Sequence, residues 1–158
     1  MPENKALELL LAKNLTIAVA ESCTGGLLAK RLTDSPGASA VFIGGVVAYA
    51  NKAKTILLGV PADLITEFGA VSEPTAKAMA DGVRLRLSAD VGVGITGVAG
   101  PDGGSAEKPV GTVYIAVASP DGTVVHRVQL GIERGCVREK AADHALDMVC
   151  CMLDPDSG

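Results

Sequence analysis

Thr16-Ile17-Ala18-Val19-Ala20-Glu21-Ser22-Cys23-Thr24-Gly25-Gly26, followed by Leu27-Leu28-Ala29-Lys30-Arg31-Leu32, decides the fold. An apolar run of strand length, 16–22, meets an amphipathic run of helix length, 24–34. The first run is nearly all apolar, as expected of a strand buried on both faces of a sheet. Such a strand-to-helix junction exposes N–H groups at the helix start. The helix dipole adds positive potential there, and Gly25 and Gly26 let a ligand approach the main chain closely. The junction is therefore expected to suit a phosphate or a developing oxyanion. Ser22 and Cys23 are the candidate nucleophiles beside it.

Outward from this junction the alternation continues. A helix is expected over 4–13, with Leu7, Leu10 and Leu11 on one face. A second strand is expected over 40–49, where the pair Gly44-Gly45 suggests a bulge or a close backbone approach. A short helix over 51–58 follows, and Pro61 is placed to start another at its first position. Ser72-Glu73-Pro74-Thr75 opens a longer helix to about residue 88. A buried strand over 90–96 leads into the loop Gly97-Val98-Ala99-Gly100-Pro101-Asp102-Gly103-Gly104-Ser105. Strands 111–118 and 123–130 form a hairpin around Pro120-Asp121-Gly122, and a helix over 134–153 ends the pattern. Alternating strands and helices followed by a hairpin predict an α/β protein, a three-layer α/β/α sandwich with a mixed sheet of about five strands. Residues 1–158 read as a single domain, with no internal repeat and no linker.

Composition narrows the function. The chain is 48% hydrophobic but only 3% aromatic and lacks Trp, so its core must rest on Val, Ile, Leu and Ala. A net charge of −4 without a basic cluster argues against nucleic-acid binding. A small anion still fits, because local potential can oppose net charge. Four cysteines without Cys-x-x-Cys spacing suggest neither a disulfide framework nor zinc, so no metal is expected. His126 and His144 lie on separate expected elements and form no motif. Met1-Pro2-Glu3-Asn4-Lys5 lacks a signal-peptide pattern, and no apolar run reaches membrane-spanning length. The expectation is a soluble, cytoplasmic protein with no membrane partner.

Three polar segments follow the C-terminal ends of strands, where open α/β sheets place ligands. They are Glu21 to Gly26, Tyr49-Ala50-Asn51-Lys52-Ala53-Lys54, and Thr96 to Ser105. A serine nucleophile needs a base, and neither histidine is near these segments in sequence. A lysine serves if desolvation lowers its pKa toward about 7–8. Lys54, on the first turn of a helix after a buried strand, is the candidate. Lys52, two positions away, points to another side of that helix. Tyr49 is placed to relay a proton or to orient the pair. Pattern alone leaves plainer roles open. Ser22 also fits a helix N-cap, Cys23 a small packed residue, Lys54 a solvated helix lysine, and Tyr49 a strand-end tyrosine with a wet hydroxyl. Gly92 and Gly94 do not make a dinucleotide fingerprint, because no third glycine opens a helix at the right spacing.

Five motifs carry a resemblance. They are Ala20-Glu21-Ser22-Cys23-Thr24-Gly25-Gly26, Gly44-Gly45-Val46-Val47-Ala48-Tyr49 with Lys54, Gly69-Ala70-Val71-Ser72-Glu73, Gly97-Val98-Ala99-Gly100-Pro101-Asp102-Gly103-Gly104, and Lys108-Pro109-Val110-Gly111-Thr112-Val113. Together, over roughly residues 5–152, they resemble the C-terminal domain of the competence/damage-inducible CinA family, whose stand-alone members are nicotinamide-nucleotide amidases. The resemblance implies deamidation of nicotinamide mononucleotide to nicotinate mononucleotide and ammonia, without metal or organic cofactor. It implies Ser22 as nucleophile with Lys54 and Tyr49 as activating partners. Thr24, Gly25, Gly26, Thr96, Gly97 and Arg134 are the substrate-binding candidates. The family's Gly-Asp-Arg-x-x-Val-Arg is replaced here by Gly131-Ile132-Glu133-Arg134-Gly135-Cys136-Val137-Arg138, with one extra residue and Glu for Asp. A homodimer is the assembly the resemblance suggests. Larger members carry a further N-terminal domain, whose activities are not carried over. The alternative is a non-catalytic nucleotide-binding or assembly module, which would bind the mononucleotide without releasing ammonia.

Overall fold

The computed structural model describes residues 1–157. In chain order the elements are α1 (Pro2–Lys13), β1 (Ile17–Glu21), α2 (Leu27–Asp34), β2 (Phe42–Val47), α3 (Asn51–Leu58), α4 (Ala62–Phe68), α5 (Glu73–Arg86), β3 (Val91–Gly97), β4 (Thr112–Ser119), β5 (Gly122–Gln129) and α6 (Arg134–Leu153). The strands form one five-stranded sheet in the order β2-β1-β3-β4-β5. β1 runs parallel to β2 and β3, whereas β3-β4 and β4-β5 are antiparallel. The sheet is mixed and carries helices on both faces, the three-layer arrangement expected from the sequence.

Alternating side-chain size builds the two cores. Large residues at one parity, among them Ile17, Val19, Val93, Ile95, Ile115 and Val117, pack with residues of α1, α2 and α6. Each such fully buried side chain contributes about 1.5–3 kcal/mol relative to exposure. The opposite parity is small at Ala18, Ala20, Gly92, Gly94, Ala116 and Ala118, with Tyr114 as the large exception. This face lets α5 lie close against the sheet. A Cβ on Gly94 would stand 2.6 Å from the Ala76 carbonyl oxygen, and one on Gly92 would strike that of Ala80. Gly92 and Gly94 are thus packing residues.

A charged cluster ties the first layer together. Arg31 of α2, 8% exposed, meets Glu3 of α1 at 2.9 Å and Asp143 of α6 at 2.8 Å. Burial works against the Glu3 carboxylate, but the hydrogen bond and charge of Arg31 hold its pKa below the usual range.

Several boundaries differ from expectation. The helix expected from residue 24 begins at Leu27, because Gly25 and Gly26 have φ of 58° and 101°. The stretch 22–26 is therefore a turn. The strand expected over 40–49 is shorter, since Ala38–Ala40 form a 3₁₀ turn. Pro61 is an extended N-cap with ψ of 133° and precedes α4 instead of occupying its first position.

Candidate active site

Because β1 and β3 are parallel neighbours, their C-terminal ends open on the same edge of the sheet. The Ser22 N–H extends the ladder by donating to the Ile95 carbonyl at 3.0 Å, and the Ala48 N–H donates to the Glu21 carbonyl at 2.8 Å. These bonds bring the ends of β1, β2 and β3 together. The cleft between them has a volume of about 320 Å³, and its lining includes Ser22, Lys54, Thr96, Gly97, Asp102 and Arg134.

Lys54 is 1% exposed and sits on the first turn of α3. Its Nζ donates to Ser22 Oγ at 3.1 Å and to the Tyr49 carbonyl oxygen at 2.9 Å. The Ser22 hydroxyl lies 3.4 Å from the same carbonyl. Burial pulls the Lys54 ammonium below the usual lysine value. Among the described residues no carboxylate forms an ion pair with it. A buried, unpaired lysine is costly as a cation and is relieved by losing its proton. Lys52 is exposed, as the two-residue offset on a helix requires.

Tyr49 meets the pair through its main chain. Its side chain is 62% exposed at the rim of the cleft, and its carbonyl oxygen meets the pair. Cys23 also lines the cleft, but burial pushes its thiol up to about 11. It is therefore a protonated thiol at neutral pH. Thr96, 1% exposed, donates its hydroxyl to the Ala70 carbonyl at 2.8 Å and so holds the Gly69–Ser72 loop at the cleft wall.

The expected anion site at the start of α2 is occupied by the protein itself. Glu21, 1% exposed, accepts from the Leu28 N–H at 2.9 Å and the Ala29 N–H at 3.0 Å. The turn through Gly25 and Gly26 brings the helix start back over this carboxylate, which satisfies N–H groups a ligand would otherwise take. Thr24, Gly25 and Gly26 accordingly do not line the cleft. Thr24 is fully buried, and its Oγ1 has no partner among the described residues.

On α6, Glu133 accepts from the Gly135 N–H at 3.1 Å and the Cys136 N–H at 2.7 Å, so the glutamate performs the N-capping for which Asp is well suited. Arg134 lines the cleft and donates from Nη1 to the Gly100 carbonyl at 2.6 Å. Arg138 does not line it. Outside the cleft, the two histidines that share no sequence motif lie together, His126 Nδ1 of β5 2.9 Å from His144 Nε2 of α6.

A family profile for the CinA C-terminal domain matches residues 2–153. A CinA-like protein of Gemmatimonas aurantiaca is 56% identical over 135 residues, covering 85% of this chain and 32% of that protein. A CinA-like protein of Acidobacterium capsulatum is 51% identical over 147 residues, covering 93% of this chain and 36% of that protein. The chain thus spans about a third of the length of these curated relatives. The crystal structure of the competence/damage inducible protein CihA from Agrobacterium tumefaciens is 42% identical, with a TM-score of 0.92 over 97% of this chain and 95% of that one. A CinA superfamily protein from Klebsiella pneumoniae is 30% identical, with a TM-score of 0.93 over 96% and 95% of the two chains. The chain belongs to the CinA C-terminal domain family.

Proposed function

We propose that this protein is an amidohydrolase of the serine–lysine type that deamidates nicotinamide mononucleotide. The observation that carries the reading is the buried Lys54 Nζ, 3.1 Å from Ser22 Oγ and without a carboxylate partner among the described residues. A lysine that only braced the fold would be stabilised by an opposite charge, whereas a proton acceptor must be able to exist neutral.

In the first half-reaction neutral Lys54 takes the proton of Ser22 as Oγ bonds to the carboxamide carbon. Negative charge develops on the carboxamide oxygen, and main-chain N–H groups beyond Ser22 stabilise it. The C–N bond then breaks. The leaving nitrogen takes the proton from Lys54 and departs as ammonia, leaving the nicotinoyl group esterified to Ser22. In the second half-reaction Lys54 takes a proton from water, the hydroxide carbon–oxygen bond forms, and the ester bond to Ser22 breaks. The proton returns to Ser22 Oγ, and nicotinate mononucleotide leaves. The Tyr49 carbonyl accepts from Lys54 throughout and keeps its nitrogen aimed at Oγ. Arg134 is the cation at the cleft best placed for the ribose phosphate. Each chemical step uses only water besides the substrate and these residues.

The test is ammonia release from nicotinamide mononucleotide by the purified protein. Stoichiometric ammonia and nicotinate mononucleotide are expected. Saturable binding of the mononucleotide without ammonia would identify the non-catalytic module instead.

A further inference from the structure

Arg138 grips the nucleophile turn from behind. Its Nε donates to the Cys23 carbonyl at 3.1 Å and its Nη2 to the Thr24 carbonyl at 3.0 Å. The guanidinium is packed down on the turn, since a Cβ added to Gly25 would stand 3.2 Å from Nη2. Arg138 lines a separate hollow with Leu27, Glu133 and Cys136 and takes no part in lining the cleft. One helical turn earlier, Arg134 holds the Gly100 carbonyl of the opposite cleft wall. The start of α6 therefore fastens both walls through main-chain oxygens.

The consequence follows from peptide geometry. The Cys23 carbonyl and the Thr24 N–H belong to one trans peptide and point in opposite directions. With the carbonyl turned back to Arg138, the N–H is turned away from it. The next peptide is fixed in the same way, and its Gly25 N–H is spent on the Ser22 carbonyl at 3.1 Å. Among the described residues the N–H groups of Cys23 and Thr24 donate to no partner. We infer that Arg138 is a positioning residue for the reaction, fixing the Cys23–Thr24 peptide and with it the turn, so that the free N–H of the cleft-lining Cys23 faces the oxyanion that forms beside Ser22. This rests on the serine–lysine amidase reading. A planar fork with several fixed donors suits the task, because two adjacent carbonyls must be held at a set angle.

The experiment compares wild type, Arg138→Met and Arg138→Lys. The readouts are kcat and KM for nicotinamide mononucleotide, the pH profile, and the backbone amide resonance of Thr24 in the substrate-free protein. In Arg138→Met, kcat is expected to fall about 100-fold, the scale of losing one oxyanion donor. KM and the pH midpoint set by Lys54 are expected to hold, and the Thr24 amide resonance to shift. Arg138→Lys, which can reach only one carbonyl well, is expected to fall between the two. Circular dichroism checks folding, and the lysine variant keeps the test open if the methionine variant unfolds. Unchanged kcat, a fall in kcat/KM carried by KM alone, or an unmoved Thr24 amide would overturn the proposal. A wild-type protein that releases no ammonia defeats the amidase reading and the positioning role with it, whereas the outcomes above, in an active wild type, overturn the positioning role alone.

Discussion

Lys54 Nζ and Ser22 Oγ lie 3.1 Å apart, and both face the Tyr49 carbonyl oxygen, at 2.9 Å from the nitrogen and 3.4 Å from the hydroxyl. The lysine nitrogen therefore has two acceptors in reach while charged. Once neutral it keeps the carbonyl and accepts from the serine. One main-chain atom is in reach of the lysine in both protonation states.

Turnover should rise with pH through the Lys54 pKa, which burial lowers. The sign follows from the base working only when neutral. Lys54→Arg keeps the charge and cannot accept a proton at these pH values, so it should lose activity about 100-fold or more, while the exposed Lys52→Arg should stay near wild type. Turnover measured from about pH 6 to 9 checks both. A folded Lys54→Arg protein with near-native turnover would exclude Lys54 as the base.

Lys54→Met should be inactive yet no less stable near neutral pH. With a depressed folded-state pKa, the unfolded chain binds more protons, so the lysine's contribution to stability is fully present above its unfolded pKa and is lost as pH falls through the folded one. Removing it should therefore leave the melting temperature unchanged or raise it. Thermal unfolding near pH 7 reads this directly, and a large drop would assign Lys54 a structural role.

Tyr49→Phe should retain activity within about twofold, the scale of a surface substitution, because the carbonyl and not the exposed phenol meets Lys54. A phenol that relayed the proton would cost about 100-fold or more. Steady-state turnover of the variant separates the two roles.

Glu21→Ala should cost about 1–2 kcal/mol, the range of a lost helix cap, since Leu28 and Ala29 lose their acceptors. Arg31→Ala should cost about 3 kcal/mol by leaving the buried Glu3 without its cation. In the wild type, Glu3 has a lowered pKa, so its stabilisation is present above the ordinary carboxylate value and disappears as pH falls through the lowered one. Denaturant titrations at neutral and acid pH measure these effects.

The layers were legible because a side chain's face in a strand or helix follows from its position in the repeat. Ile17-Ala18-Val19-Ala20 and Val91-Gly92-Val93-Gly94 alternate large and small, and the two cores divide along that alternation. The burial of Lys54 and exposure of Lys52 followed from the helical period. Other features depend on main-chain atoms, which no side-chain pattern reports. The Tyr49 carbonyl would be present whatever residue stood there, and the sequence drew attention to the phenol instead. Glu21 was visible, but its role depends on the turn through Gly25 and Gly26 folding the helix back over it. Arg138 acts on carbonyls more than 110 positions away. His126 and His144 meet across two elements, so spacing carried no sign of their contact.

The most direct measurement compares ammonia release from nicotinamide mononucleotide by wild type, Ser22→Ala and Cys23→Ala. Lys54 is aimed at Ser22 Oγ, and burial keeps the Cys23 thiol protonated at neutral pH with a pKa of about 11. The predicted result is turnover in the wild type, its loss in folded Ser22→Ala, and its retention in Cys23→Ala. Retained turnover in Ser22→Ala with loss in Cys23→Ala would contradict the account.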